Sequence, residues 1–246
     1  MKQNSVKELD EYYSKKTLEE SEKELKQFIE WYNKVYGYHP IIIGGWAVWA
    51  YTKHHKSRDI DVVLPTTKTV HELLLPYYKT RKFKSKGMFT KEYFKEVKTK
   101  EGIDTIYLDA CSYANKNILK KEKIEIPWSL LEKNSKEWVF ENKTARIPTP
   151  ELLLIYKTKA LSDRKFEHTQ LTPTDKRSAW LKSKIKKDKI DIKALLEKTE
   201  INKDKLNELL KKTKFTKYFN ETMKESDLID LNFFKKKFKV LKTRGF

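Results

Sequence analysis

The chain has 246 residues, enough to bury a core unaided, and its single cysteine, Cys111, excludes an internal disulfide and a cysteine-rich zinc site. Its 54 Lys and Arg against 35 Asp and Glu leave a formal charge of +19, the electrostatic footprint of a nucleic-acid partner. The competing source is a lysine-rich composition, which accounts for the 36% charged fraction more readily than for the excess of one sign.

Residues 1–16 are polar with little periodicity, and MKQNSVKELDEYY lacks the apolar core of a signal segment. The longest apolar run lies inside residues 41–51, short of the roughly 20 residues a membrane helix needs, so a cytoplasmic protein away from the membrane is expected. Leu18, Leu25, Phe28, Ile29, Tyr32 and Tyr36 form one stripe at helical spacing, which predicts a packing helix over 17–36. Thr17 is its expected N-cap, with Glu20 completing a capping box, and Gly37 its expected end.

Residues 41–64, IIIGGWAVWAYTKHHKSRDIDVVL, concentrate the chemistry. Ile41–Ile43 read as a short buried strand, Gly44-Gly45 break it, and Trp46 to Ala50 supply one or two helical turns. Backbone N–H groups around Gly45 then lie at a helix N-terminus, a natural anion site. Asp59-Ile60-Asp61-Val62-Val63-Leu64 reads as a strand, in which alternate side chains share a face, so Asp59 and Asp61 project together. Paired carboxylates repel unless a cation lies between them, and Mg²⁺ suits an all-oxygen site shared with phosphates. Alternatively the two aspartates are solvated or salt-bridged to Lys56 and Arg58.

GGWAVWAYTKHHKSRDIDVVL resembles the signature of the DNA polymerase β-like nucleotidyltransferase superfamily, in which a strand, a GG or GS turn and a short helix precede a D-x-D strand. The GGW form is similar to antibiotic nucleotidyltransferases acting on aminoglycosides and lincosamides. Trp46 departs from the Ser or Thr that most relatives carry there. The resemblance implies NTP as substrate, two Mg²⁺ ions (or Mn²⁺) on Asp59 and Asp61, and phosphate contacts from Gly44, Gly45, Ser57 and Arg58. It also implies a third carboxylate on a strand beside the D-x-D strand.

Downstream, Pro65 ends the strand, and Val70, Leu73, Leu74, Tyr77 and Tyr78 suggest a second helix interrupted by Pro76. Gly87 punctuates the chain. Residues 89–98 and 103–113 read as a hairpin turning at Lys100-Glu101-Gly102, with Tyr107, Asp109 and Cys111 on one face of its second strand. Asp109 fits the third carboxylate that the resemblance implies, and Asp104, nearer the turn, is the fallback. A second hairpin is expected over 134–147, and Pro148-Thr149-Pro150 marks a boundary between a nucleotidyltransferase domain, 1–148, and a helical domain, 149–246.

Residues 151–164 and 175–198 read as helices, the latter as one long or two short ones. PTPELLLIYKTKALSDR followed by KDKIDIKALL resembles the AbiEii-type nucleotidyltransferases, a group that includes toxins of toxin–antitoxin pairs. That resemblance implies that Lys159, Lys187 and Asp188 face a nucleotide cleft between the two domains, that Asp191 buttresses the helix pair, and that an antitoxin is a partner. Beyond residue 201, Leu206, Leu209 and Leu210, then Phe215, Tyr218 and Phe219, then Phe233, Phe234 and Phe238 alternate with lysines. Residues 151–246 hold 26 basic and 14 acidic residues, roughly +12, and basic helices with interleaved aromatics suit RNA.

The expected fold is therefore α+β: a nucleotidyltransferase fold with a small mixed sheet flanked by helices, then a helical domain. The expected activity is NMP transfer from an NTP to an acceptor hydroxyl, most plausibly of RNA at a tRNA end. A small-molecule nucleotidyltransferase of the antibiotic type is the alternative, although so basic a chain argues against a cationic aminoglycoside. A catalytically inactive RNA- or partner-binding module is the third reading.

Overall fold

Residues 13–85, 92–172, 174–226 and 228 are described by a computed structural model of the chain. Residues 1–12, Gly87, positions 89–91 of the first expected hairpin and Phe233, Phe234 and Phe238 lie outside them. The chain divides into two compact units, Met1–Asn117 with Pro127–Leu153, and Ile118–Ile126 with Leu154–Phe246.

The first unit opens with α1, Lys15–Tyr36, whose Leu25, Phe28, Ile29 and Tyr32 are fully buried, as their i, i+3, i+4, i+7 spacing requires. Its N-cap is Ser14 and not Thr17: the Ser14 hydroxyl accepts the Thr17 N–H at 3.1 Å, so the helix begins nearly one turn earlier than expected. Gly37 closes it at φ +72°, its N–H donating to the Asn33 carbonyl. There follow β1, Ile41–Ile42; α2, Gly44–Thr52; β2, Ile60–Leu64; and α3, Val70–Thr80. Pro76 does not interrupt α3, which runs through it for 11 residues.

The sheet is completed by β3, Lys84–Ser85; β4, Tyr93–Lys98; β5, Ile103–Ser112; β6, Ser135–Phe140; and β7, Lys143–Pro148. The seven strands lie in the order β3-β4-β5-β2-β1-β7-β6, with β2–β5 and β1–β7 parallel and the other pairs antiparallel. The class is thus the α+β expected, with a mixed sheet. The first hairpin turns at the expected Lys100-Glu101-Gly102, and the second forms over the expected stretch. Thr99 and Gly102 close the first, while Glu141 and Asn142, at φ +44° and +61°, give the second the two-residue left-handed turn that matches strand twist.

Glu24 interrupts the buried stripe of α1 at 1% exposure. Its carboxylate accepts from Tyr77 of α3 at 2.6 Å, from Arg81 at 3.2 Å and from Lys95 of β4 at 2.8 Å, so one buried charge ties three elements together. Burial alone would raise its pKa, but these partners together outweigh it and hold the carboxyl below its ordinary value.

In the second unit, α4, Pro150–Thr169, continues from the first, and α5, Lys176–Lys198, is a single long helix capped by Asp175. The helices α6, Lys203–Lys212, and α7, Thr216–Glu225, bury Leu206, Leu209, Leu210 and Phe219. Between α4 and α5 runs a buried ionic seam. Lys157 Nζ lies 2.5 Å from Asp191 and 3.7 Å from Asp188, Arg164 pairs with Asp188, and Lys187 reaches Asp191 at 3.4 Å. No helix among the described residues is long and apolar enough to cross a membrane.

Candidate active site

The glycine pair opens α2 directly. Gly44 has φ +65°, a conformation that side chains other than glycine's rarely tolerate, and it swings the chain from β1 into the helix. Ile43 occupies the N-cap and offers no side-chain cap, so the first N–H groups of α2 keep the anion-facing character of a helix N-terminus. The Ile43 N–H donates to the Asp61 carbonyl at 2.9 Å, which fixes this turn against β2. The Asp61 side chain then fills the space beside the glycine. A Cβ on Gly44 would overlap Asp61 Oδ2 and stand 2.7 Å from its Cγ.

Asp61 is also paired across the sheet. In the parallel β2–β5 ladder it stands opposite Asp109, so the two carboxylates leave neighbouring strands at the same level and on the same face. Two residues on, Val63 faces Cys111, whose thiol burial pushes up to about 12 with help from the Asp61 and Asp109 carboxylates. Asp59 immediately precedes β2. Asp104, five residues before Asp109 on β5, stands opposite Val97 of β4, away from the β2 register.

Asp59 is closed by its sequence neighbour. Arg58 Nε donates to Asp59 Oδ1 at 2.9 Å and Nη2 to Oδ2 at 3.4 Å, while Nη1 lies 3.5 Å from Asp104 Oδ1. The guanidinium also packs over the rings of Tyr13 and Tyr107, at 4.8 and 5.9 Å. Burial would lower its pKa, but the charge of Asp59 and its hydrogen bond prevail and raise it.

The donors fit a hard divalent cation in kind: carboxylate oxygens only, beside a helix N-terminus that could take the phosphates such an ion carries. Their arrangement is closed, however. Among the described residues no three His, Cys, Asp or Glu side chains are gathered to hold an ion. Arg58 supplies the positive charge at Asp59, and Asp61 is tucked against Gly44.

Other residues named from the sequence fall as follows. Gly45 and Ser57 are buried, and the Ser57 carbonyl accepts from the Ser21 hydroxyl at 2.9 Å. Trp46 is fully buried, and its indole N–H donates to the same Ser21 hydroxyl at 3.3 Å. Its side chain is part of the core, which explains why no small hydroxyl stands at this position. In the second unit Lys159 pairs with Asp163 at 2.8 Å, while Lys187 and Asp188 belong to the ionic seam. Asp191, fully buried there, joins α4 to α5. The Arg58–Asp59 pair matches the salt-bridged alternative for these aspartates, whereas the second contact, to Asp104, has no counterpart in the sequence reading. Asp104 lies 46 residues from Arg58, and no local spacing signals their contact.

No protein-family model matches the chain, and no curated protein does. Solved structures similar to it include the following two. An antigenic nucleotidyltransferase-like protein from Paracoccidioides brasiliensis shares 13% identity over 86% of this chain and 93% of its own, with a TM-score of 0.47. The antibiotic-resistance factor ANT(2'')-Ia shares 12% over 81% of this chain and 94% of its own, with a TM-score of 0.43.

Proposed function

We propose that the chain is a nucleotidyltransferase that moves a nucleoside monophosphate from an NTP to an acceptor hydroxyl and releases pyrophosphate. The observation that carries this reading is the placement of Asp61: opposite Asp109 in a parallel ladder and against the glycine that opens α2. Carboxylates on one sheet face beside a helix N-terminus supply what phosphoryl chemistry asks for, a seat for a cation and a cradle for an anion.

In this reading Asp59, Asp61 and Asp109 hold two Mg²⁺ ions, for which Mn²⁺ can substitute. When bound, the ions would neutralise triphosphate charge and favour ionisation of the acceptor hydroxyl. The chain's own groups do the rest. Gly44 and Gly45 would offer backbone N–H groups to phosphate oxygens, Asp109 would draw off the hydroxyl proton, and Ser57, Arg58, Lys159, Lys187 and Asp188 would contribute to nucleotide binding.

RNA, and a tRNA end in particular, is the acceptor we favour, on the strength of the roughly +12 charge of residues 151–246. An antitoxin protein as partner follows from the AbiEii-type pattern of α4 and α5. The small-molecule alternative rests on the resemblance of the GGW sequence to antibiotic nucleotidyltransferases, within which Trp46 itself belongs to the core. The inactive RNA-binding module is favoured by one observation, the Arg58 pair that closes Asp59.

Incubation of the protein with each labelled NTP, Mg²⁺ and either total RNA or a panel of small hydroxyl compounds separates the three. Label in tRNA with the unmutated protein, absent with Asp59→Ala and Asp61→Ala, supports the proposal. Label only in a small compound supports the alternative. No label anywhere, with an RNA complex that survives Asp61→Ala, supports the binding module.

A further inference from the structure

We infer that Arg58 is an internal counter-ion of Asp59 which a divalent cation has to displace, and that Asp104 with Tyr107 retains it once displaced. This rests on reading Asp59, Asp61 and Asp109 as cation ligands.

Arg58 engages both oxygens of Asp59 through Nε and Nη2. A cation entering at Asp59 would meet an N–H donor on each oxygen and a positive charge at contact distance, so the two compete for the carboxylate. Arg58 has a second anchor. Its Nη1 already lies 3.5 Å from Asp104, whose Oδ1 is fixed by the Thr105 N–H at 2.8 Å. Tyr107, on the same strand, lies under the guanidinium. Asp104 is not one of the three carboxylates, so a guanidinium held there leaves Asp59 available while its charge stays beside the phosphates. Arg58 and Asp104 are therefore positioning residues, and Asp104 acts through Arg58.

Direct titration with Mn²⁺ in the absence of nucleotide, followed by electron paramagnetic resonance, tests this. Arg58→Gln should tighten Mn²⁺ binding about tenfold. Arg58→Lys should approach the same value, because an ammonium keeps the charge but cannot close both oxygens. Asp104→Asn should weaken binding about threefold in the unmutated background and have no effect when combined with Arg58→Gln, since it acts only through the arginine. Circular dichroism confirms that each variant is folded. Wild-type affinity in Arg58→Lys, or an Asp104→Asn loss that persists beside Arg58→Gln, overturns the inference while the carboxylate site stands. Failure of the wild type to bind Mn²⁺, or undiminished binding in Asp61→Asn, removes the carboxylate site and the inference with it.

Discussion

Asp61 occupies the space that a side chain on Gly44 would need, and Gly44 takes the left-handed conformation that turns β1 into α2. The two residues are one device: the glycine lets the carboxylate approach the helix N-terminus. Gly44→Ala should therefore destabilise the protein by about 2–4 kcal/mol, combining backbone strain with displacement of Asp61. Asp61→Gly would relieve the steric part, so the double variant should fall about 1–2 kcal/mol short of the summed single losses. Urea denaturation of the four proteins measures the cycle. Strict additivity would show that the contact contributes nothing.

Trp46 makes the opposite point, a residue in the motif that serves the core. It contacts Trp49 and Phe140 edge to face or tilted, at 5.6 and 5.9 Å, and donates to Ser21, which in turn donates to the Ser57 carbonyl. Trp46→Ala should cost about 3–5 kcal/mol through the cavity it leaves. Trp46→Ser, which restores the small hydroxyl of the commoner motif, should cost as much, because the hydroxyl enters a space shaped for an indole. Trp46→Phe should be milder and leave NTP affinity within about twofold of wild type. A large affinity change in a folded Trp46→Phe protein would place this residue at the nucleotide.

Local signals explain why the candidate site and its neighbouring Arg58 were legible in the sequence while the contact with Asp104 was not. The glycine pair, the branched strand and the alternation of Asp59 and Asp61 are short-range features, and they produced α2 and β2 where expected. The alternation in residues 103–113 put Asp109 on one face, but only the parallel β2–β5 register brings it opposite Asp61, a pairing across 48 residues. The contact of Arg58 with Asp104 depends on that same register and on a side-chain rotamer, neither of which periodicity reports. Ser14 displaced Thr17 as the cap of α1 because both hydroxyls fit the role and only the chain's entry direction decides between them.

The Glu24 cluster makes stability depend on pH in a defined direction. Its carboxyl is held below the ordinary 4.5, so its contribution is present above that value and is lost as pH falls through the depressed folded value. Glu24→Gln should cost about 2–3 kcal/mol near neutrality, since Arg81 and Lys95 lose a buried partner while remaining partly hydrated. The variant should also flatten the acid limb, losing less stability than wild type as pH drops below 4.5. Urea midpoints across the acid range read both effects. An unchanged acid limb would show that Glu24 is not the group that titrates with folding.

Asp191 should be indispensable to the helical unit as one half of a pair rather than as a charge in its own right. It is fully buried and takes the Lys157 ammonium at 2.5 Å, and Lys157 is itself only 7% exposed. Asp191→Ala leaves that ammonium with the more distant Asp188, which Arg164 also claims. The expected loss is about 3–5 kcal/mol, the magnitude seen when one member of a buried ion pair is removed. Replacing both partners, Lys157→Met with Asp191→Leu, removes the desolvated charges together and should recover most of it. Thermal unfolding of the single and double variants decides the matter: recovery identifies a buried pair whose members need each other. A double variant as damaged as Asp191→Ala would mean that Asp191 is required through Lys187 or for packing between α4 and α5.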